Sequence, residues 1–346
     1  MNSFKNKVLF RCDAANIPEI GTGHLYRCLT IALLLKKKYN LKYHDIAFIV
    51  KSKNEFKKSL TILKTYKFKI IKIKNNALRS NTTDEAKYLV KNSANLLIID
   101  RLGKTNMKFF EKIKNSFNKK IIIDDSSQIR KYFDLSLNPL IHNVSKLKNS
   151  FIGFNYLILP TFFFNKNNKM SKKNNIFIFF GGHDYKNFTA KIIKILNYTP
   201  FKLNIFIHKF FKKEFKRKIS KNNLIFFDGK NYTKSLNAAN IAITAGGISL
   251  FDSIYLNKKI ICIPQYKKQE INAKKASIRK VINLVKITNV NFEKNFYKTF
   301  YKIYGNNKYQ KNINKLQKKI IDSKKLEETM KLIFNLYEET QNQFSF

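Results

Sequence analysis

The stretch GTGHLYR, residues 21–27, sets a histidine and an arginine three residues apart behind two glycines. Three residues is close to one helical turn, so His24 and Arg27 share a face if a helix starts here. An imidazole exchanges a proton near neutral pH, which makes His24 a candidate general base. Arg27 offers a fixed cation for an anionic ligand, and a cation one turn away favours the uncharged, proton-accepting ring. Gly21 and Gly23 permit positive φ and let a ligand approach the backbone closely. The first N–H groups of a helix would meet a phosphate there with partial positive charge. A plainer reading, a glycine turn with a surface histidine as helix cap, fits the same spacing. The stretch is not a dinucleotide fingerprint, because Tyr26 stands where the third glycine would be.

Two further glycine turns have the same form. In FFGGHDYKNFT (179–189), Gly181 and Gly182 make room, His183 follows, and Asp184 or Asn187 is placed to cap the next helix. In ITAGGISLFDS (243–253), Gly246 and Gly247 end an apolar run and Ser249 is placed as a cap. Asp252 lies one turn on, where a carboxylate would accept hydrogen bonds from a ribose diol. The same Ser249–Asp252 spacing also reads as a capping box with no ligand. Gln269 and Asn272, in PQYKKQEINA, would point neutral amides toward the same place. Asp124 and Asp125 close another strand and read as a structural pair, for want of a third metal ligand in a matching pattern. His208 ends a strand; His44 and His142 read as solvated loop residues.

The elements that must hold these residues follow from apolar periodicity. KVLFRCD (7–13), DIAFIV (45–50), ANLLIID (94–100) and KKIIIDD (119–125) are short apolar runs separated by helical patterns near 23–38, 54–65 and 105–117. Such uninterrupted runs between helices describe a parallel sheet covered on both faces. A polar segment, FNKNNKMSKKNN (164–175), breaks the pattern and reads as a linker. The alternation restarts with NIFIFFGG (175–182), FKLNIFIH (201–208), NLIFFDG (223–229), IAITAGG (241–247), KIICIPQ (259–265) and NLVKIT (283–288). The expectation is an α/β protein of two Rossmann-like, doubly wound domains, 1–165 and 172–306, facing a cleft at the carboxyl ends of their strands. A helical extension follows over 307–346.

With 346 residues, 44% of them apolar, the chain is long enough for two cores and unlike a disordered polymer. No apolar run reaches the ~18 residues of a membrane span. The first residues read as a strand and not as a signal peptide. Cys12, Cys28 and Cys262 are odd in number and widely spaced, as expected of free thiols in a cytoplasmic protein. The net charge of +46 invites a nucleic-acid reading. Against it, 61 lysines outnumber 7 arginines, and base readers lean on arginine forks. Lys, Asn, Ile, Phe and Tyr share A/T-rich codons, the lysines run along the whole chain, and Trp is absent. Genomic composition therefore accounts for the charge, and no nucleic-acid partner is expected. A basic nucleic-acid-binding protein remains the non-enzyme rival.

Together, KVLFRCDA, IGTGHLYRCLTIA, LLIIDRLG (96–103), the GGHD turn and AGGISLFDS…PQYKKQEINA resemble the nucleotide-sugar hydrolases of pseudaminic acid synthesis. These release UDP from UDP-2,4-diacetamido-2,4,6-trideoxy-β-L-altropyranose, and they look like relatives of the two-domain GT-B glycosyltransferases. The resemblance runs from about residue 6 to 275. It implies that His24 activates water for attack at the anomeric carbon, without metal or cofactor. It further implies that Asp13, Gly21, Gly23, Arg27, Gly181, Gly182, His183 and Asp184 contact the substrate. Gly246, Gly247, Ser249 and Asp252, with Gln269 and Asn272 nearby, would hold the nucleotide. The sequence departs from the family pattern at Asp252, where relatives carry glutamate, at His183, where a small hydroxyl residue is usual, and at Lys259, which replaces a proline. A GT-B transferase passing the sugar to an acceptor is the rival within the enzyme class.

Overall fold

The structure is a computed structural model. It describes residues 6–15, 17, 20–73, 83–140, 143–164, 171–182, 184–211, 222–286 and 291–342. The chain forms two compact units, Met1–Ile158 joined by Ser323–Phe346, and Leu159–Asp322.

The first unit runs β1 (Asn6–Cys12), α1 (Gly23–Lys38), β2 (Ile46–Lys51), α2 (Lys57–Thr65), β3 (Lys69–Ile73), α3 (Thr83–Lys91), β4 (Ala94–Asp100), α4 (Met107–Ile113), β5 (Phe117–Ile123), β6 (Leu135–Asn138) and β7 (Ser150–Ile152). Its seven strands are parallel in the order β3-β2-β1-β4-β5-β6-β7. All seven residues of β4, ANLLIID, are buried, as a central strand covered on both faces requires. The edge strand β3, KIIKI, keeps two exposed lysines, and only Ile73 is fully buried. Strand order reverses between β1 and β4, and Cys12 lies opposite Asp100 in register. The carboxyl ends of these two strands are thus neighbours at the switch point, where doubly wound sheets bind ligands.

The second unit runs α5 (Pro160–Phe164), β8 (Asn175–Phe179), α6 (Phe188–Asn197), β9 (Asn204–His208), β10 (Asn223–Phe227), α7 (Tyr232–Ala238), β11 (Ile241–Thr244), α8 (Ile248–Tyr255), β12 (Lys259–Cys262), α9 (Lys267–Ile278), β13 (Asn283–Leu284), α10 (Phe292–Ile303) and α11 (Asn307–Ile320). Its sheet is also parallel, in the order β10-β9-β8-β11-β12-β13, with the reversal between β8 and β11. Ile176 and Ile178 face the core under α6 and α10, while Phe177 faces the other side and stacks on Phe227 at 4.9 Å. Period-2 alternation thus builds two cores on one strand.

The region 307–346 is not one extension. Its first helix, α11, packs on α8, and Gln317 Nε2 donates to the carbonyls of Lys258 and Val281 at 2.9 and 3.1 Å. Its second, α12 (Ser323–Asn342), packs on β4 and β5 of the first unit. There Tyr39 Oη donates to Glu338 at 2.6 Å and Lys119 pairs with Glu339 at 2.5 Å. The boundary between units falls at Ile158, before the polar segment expected as the linker, of which residues 165–170 lie outside those described. Among the described residues, no helix is long and apolar enough to cross a membrane.

A buried ion network sits at the carboxyl edge of the first sheet. Glu85 Oε1 accepts from Arg11 Nε and Arg101 Nε, each at 2.9 Å, and Arg11 Nη2 pairs with Asp13 at 2.8 Å. All four side chains are at most 4% exposed. Removing one partner of such a network leaves its opposite charges uncompensated in low dielectric. We expect Glu85→Ala to lower unfolding free energy by about 3–5 kcal/mol in urea titrations. A loss below ~1 kcal/mol would show that the arginines re-pair or hydrate.

Candidate functional site

In the first unit, β1 delivers the chain to the Gly21 turn and α1 begins at Gly23. Gly21 has φ +55°, and a Cβ there would meet nothing within 4 Å. Conformation, not crowding, calls for glycine at this position. Thr22 does not cap α1 with its side chain, and the first turn holds no acidic residue. His24, in that turn, is 17% exposed at its side chain, and its Nδ1 lies 2.6 Å from Asp100 Oδ1. Nδ1 donates to the carboxylate, so in the neutral ring Nε2 is the accepting nitrogen; among the described residues no group bonds it.

Arg27, which the sequence suggests as an anion clamp, does something else. Its Nε and Nη2 donate to Asp100 Oδ2 and Oδ1 at 2.6 and 2.7 Å, and its Nη1 donates to Asp124 Oδ2 at 2.6 Å. At 2% exposure its fork is turned onto two carboxylates and away from solvent. Its charge is likewise matched, so it is Asp100 that stands beside the imidazole. Burial alone would raise the Asp100 carboxyl, but the Arg27 guanidinium and His24 hold it below the ordinary carboxylate range. Asp124 is fixed in turn by the Leu140 N–H at 3.0 Å, and Asp125 ties down Thr105 and Ser127. The pair is structural, as read.

Asp100 does not stand out in the sequence. Its only mark there is a carboxylate closing a wholly apolar strand. Asp13, expected at the substrate, instead accepts from Arg11 and from the Lys51 N–H at 2.9 Å, and is 4% exposed. It belongs to the ion network.

In the second unit, the turns after β8 and β11 flank the switch point. Gly181 has φ +84° with open space beside it. Gly182 follows it in the turn, and His183 lies outside the described residues. Asp184 accepts from the N–H groups of Phe188 and Thr189 at 3.0 and 2.7 Å. The start of α6 is therefore occupied by its own carboxylate, and Asp184 serves as a cap.

The turn after β11 is different. A Cβ on Gly246 would come within 2.1 Å of the Gln269 carbonyl, so this glycine is there for the approach of α9. Gly247 is the N-cap of α8, has open space beside it and supplies no side-chain cap. Its helix start is left to an outside acceptor. Ser249 lies inside the helix, 7% exposed, and not at the cap, so the expected Ser249–Asp252 capping box does not form.

Three expected nucleotide contacts turn inward. Asp252 is 1% exposed, and its oxygens accept from Thr161 Oγ1 at 2.5 Å and Tyr232 Oη at 3.0 Å. Gln269 Oε1 accepts from the Gln265 N–H at 2.9 Å, and Asn272 Nδ2 donates to the Gly246 carbonyl at 3.3 Å. Gln265, unmarked in the sequence, donates to the Phe180 carbonyl at 3.0 Å and accepts from Tyr185 Oη at its own carbonyl. These amides lace the two glycine turns together through backbone groups.

No protein-family model matches the chain. An uncharacterised protein of Methanocaldococcus jannaschii is 27% identical over 278 residues, 72% of this chain and 54% of its own length. The chain thus spans about half of the curated relative it matches. Among solved structures, MurG of Acinetobacter baumannii superposes with a TM-score of 0.62 at 12% identity, covering 95% of this chain and 99% of that one. A glycotransferase of kitacinnamycin gives 0.59 at 11%, covering 97% and 99%. The spinosyn rhamnosyltransferase SpnG, complexed with thymidine diphosphate, gives 0.55 at 10%, covering 95% and 99%. The two parallel-sheet units have the GT-B glycosyltransferase fold.

Burial pushes the Asp252 carboxyl up to about 6, against the hydrogen bonds from Thr161 and Tyr232. A folded state that holds a proton more tightly than the unfolded chain is stabilised at low pH. That contribution is full below about pH 4 and is lost as pH rises to about 6, by roughly 3 kcal/mol. We expect Asp252→Asn to remove this fall between about pH 4 and 6 in denaturant titrations. A fall of the same size in Asp252→Asn would assign it to another group.

Proposed function

We propose that the chain is a nucleotide-sugar hydrolase, releasing UDP from a UDP-linked 2,4-diacetamido-2,4,6-trideoxy sugar of the kind used for pseudaminic acid. The observation that carries this reading is the His24–Asp100 pair at the switch point of the first sheet. Asp100, locked by Arg27, fixes the imidazole with Nε2 as acceptor. Nε2 takes a proton from water as its oxygen attacks the anomeric carbon. The C–O bond to the diphosphate breaks, and UDP leaves with the bonding electrons. The water oxygen becomes the anomeric hydroxyl, and Asp100 balances the imidazolium that forms. UDP is a good leaving group at its own acidity, so the larger demand is on holding diphosphate charge. The uncapped start of α8 behind Gly247 suits that demand. The fold supports the reading, since structures sharing it were solved with UDP-L-rhamnose, in a protein of Arabidopsis thaliana, and with thymidine diphosphate.

The second reading, a glycosyltransferase, is favoured by the solved structures with this fold, which are glycosyltransferases. The same dyad would then deprotonate an acceptor hydroxyl. The two differ in one measurement, UDP release from a panel of UDP-sugars with no acceptor present. The hydrolase releases UDP at its full rate under those conditions, and a requirement for added acceptor decides for the transferase. In either case His24→Ala lowers turnover by about 10²–10⁴-fold, with UDP affinity unchanged. Asp100→Asn lowers it by at least about tenfold through loss of the ring's orientation. A His24→Ala protein with most of its activity intact removes the imidazole from the reaction.

A further inference from the structure

The second unit presents an aromatic and lysine-lined face away from its glycine turns. Tyr198 ends α6, so a helix of ten residues, about 15 Å, separates it from the Gly181–Gly182 edge. It is 76% exposed, and Tyr297 on α10 is 39% exposed. Between the two helices lies a shallow groove of about 390 Å³ with Ile195, Tyr198 and Tyr297 as its apolar lining. Lys194, Lys294 and Lys298 rim it, and Glu293 is the single acidic residue among its lining side chains. Behind it, Tyr297 packs against Tyr301 in a tilted contact with centroids 4.4 Å apart, and Tyr301 against Phe201, also tilted, at 5.5 Å.

We infer that this face docks the second unit on an anionic lipid bilayer. Tyrosine is amphipathic and suits the headgroup level, with its ring toward the acyl chains and its hydroxyl toward water. Lysine stems line the walls of an apolar groove while their ammonium groups reach anionic headgroups. The chemistry fits a nucleic acid less well. Tyr301 is tilted against Tyr297, the two hydroxyls bond each other at 2.9 Å, and among the described residues no arginine or amide lines the groove to read a base edge. A sugar polymer would likewise want amides and carboxylates that this groove lacks.

A net charge of +46 attracts the whole chain toward anionic surfaces, so the test must separate this face from bulk charge. Co-sedimentation with phosphatidylcholine vesicles, with and without phosphatidylglycerol, is compared for the full chain and two double variants. Lys294→Glu with Lys298→Glu alters the face; Lys57→Glu with Lys64→Glu makes the same net-charge change on the first unit. Each lysine near an anionic surface is worth roughly fivefold in partitioning. The first variant should therefore lose at least about 20-fold more binding than the second. Because the chain has no tryptophan, Tyr198→Trp supplies a single reporter, whose emission should shift to the blue on anionic vesicles and be quenched by brominated lipid. Three results would each overturn the inference. They are equal losses in the two double variants, an unshifted indole emission from sedimented Tyr198→Trp protein, and a blue shift given by an oligonucleotide but by no vesicle.

Discussion

One guanidinium organises the candidate site of the first unit. Arg27 is buried between Asp100 and Asp124, and three of its nitrogens hold three carboxylate oxygens at 2.6–2.7 Å. Two buried carboxylates at the ends of neighbouring strands would repel each other and carry a large desolvation cost. A bidentate cation between them offsets both, and removing it would leave two unpaired buried charges. The geometry it imposes has a direct consequence for chemistry. With Asp100 clamped on both oxygens, the carboxylate has one orientation toward His24, and the ring has one nitrogen left to accept a proton. Strand register makes the arrangement reachable, since β1 feeds the turn that starts α1 and β4 ends beside it.

The second unit uses backbone where the first uses charge. Gln265, Gln269 and Asn272 tie the β8 and β11 turns together without adding a net charge. Gly246 exists for the contact with α9, and Gly247 keeps the start of α8 open. At the neighbouring turn Asp184 closes the start of α6. Two turns that share a glycine pair therefore differ in what they leave available: Asp184 takes up the start of α6, and no side chain caps that of α8.

Much of this was legible in the sequence, because apolar runs with no polar interruption read as central parallel strands. ANLLIID, 94–100, is the clearest example, and the helix from Gly23 to Lys38 follows from its own periodicity. Elements that are short or half polar escaped, such as KIIKI of β3, α3, β6 and β7. Within the site, the pairing of His24 and Arg27 on one helical face was visible. Their partner was not, since Asp100 lies 73 residues from Arg27 and only sheet order brings them together. The same limit applies to the other carboxylates. Asp252 meets Thr161 across 91 residues and Asp13 meets the Lys51 N–H across 38, and local spacing cannot tell a capping or ligand-binding carboxylate from one buried against a distant group.

The account stands on the state of one imidazole, and a long-range proton–nitrogen correlation spectrum of histidine-labelled protein reads that state directly. It should show His24 with its hydrogen on Nδ1 and a bare Nε2, a pattern that collapses to mixed tautomers in Asp100→Asn. A hydrogen found on Nε2 in the unaltered protein, with Nδ1 bare, would contradict it.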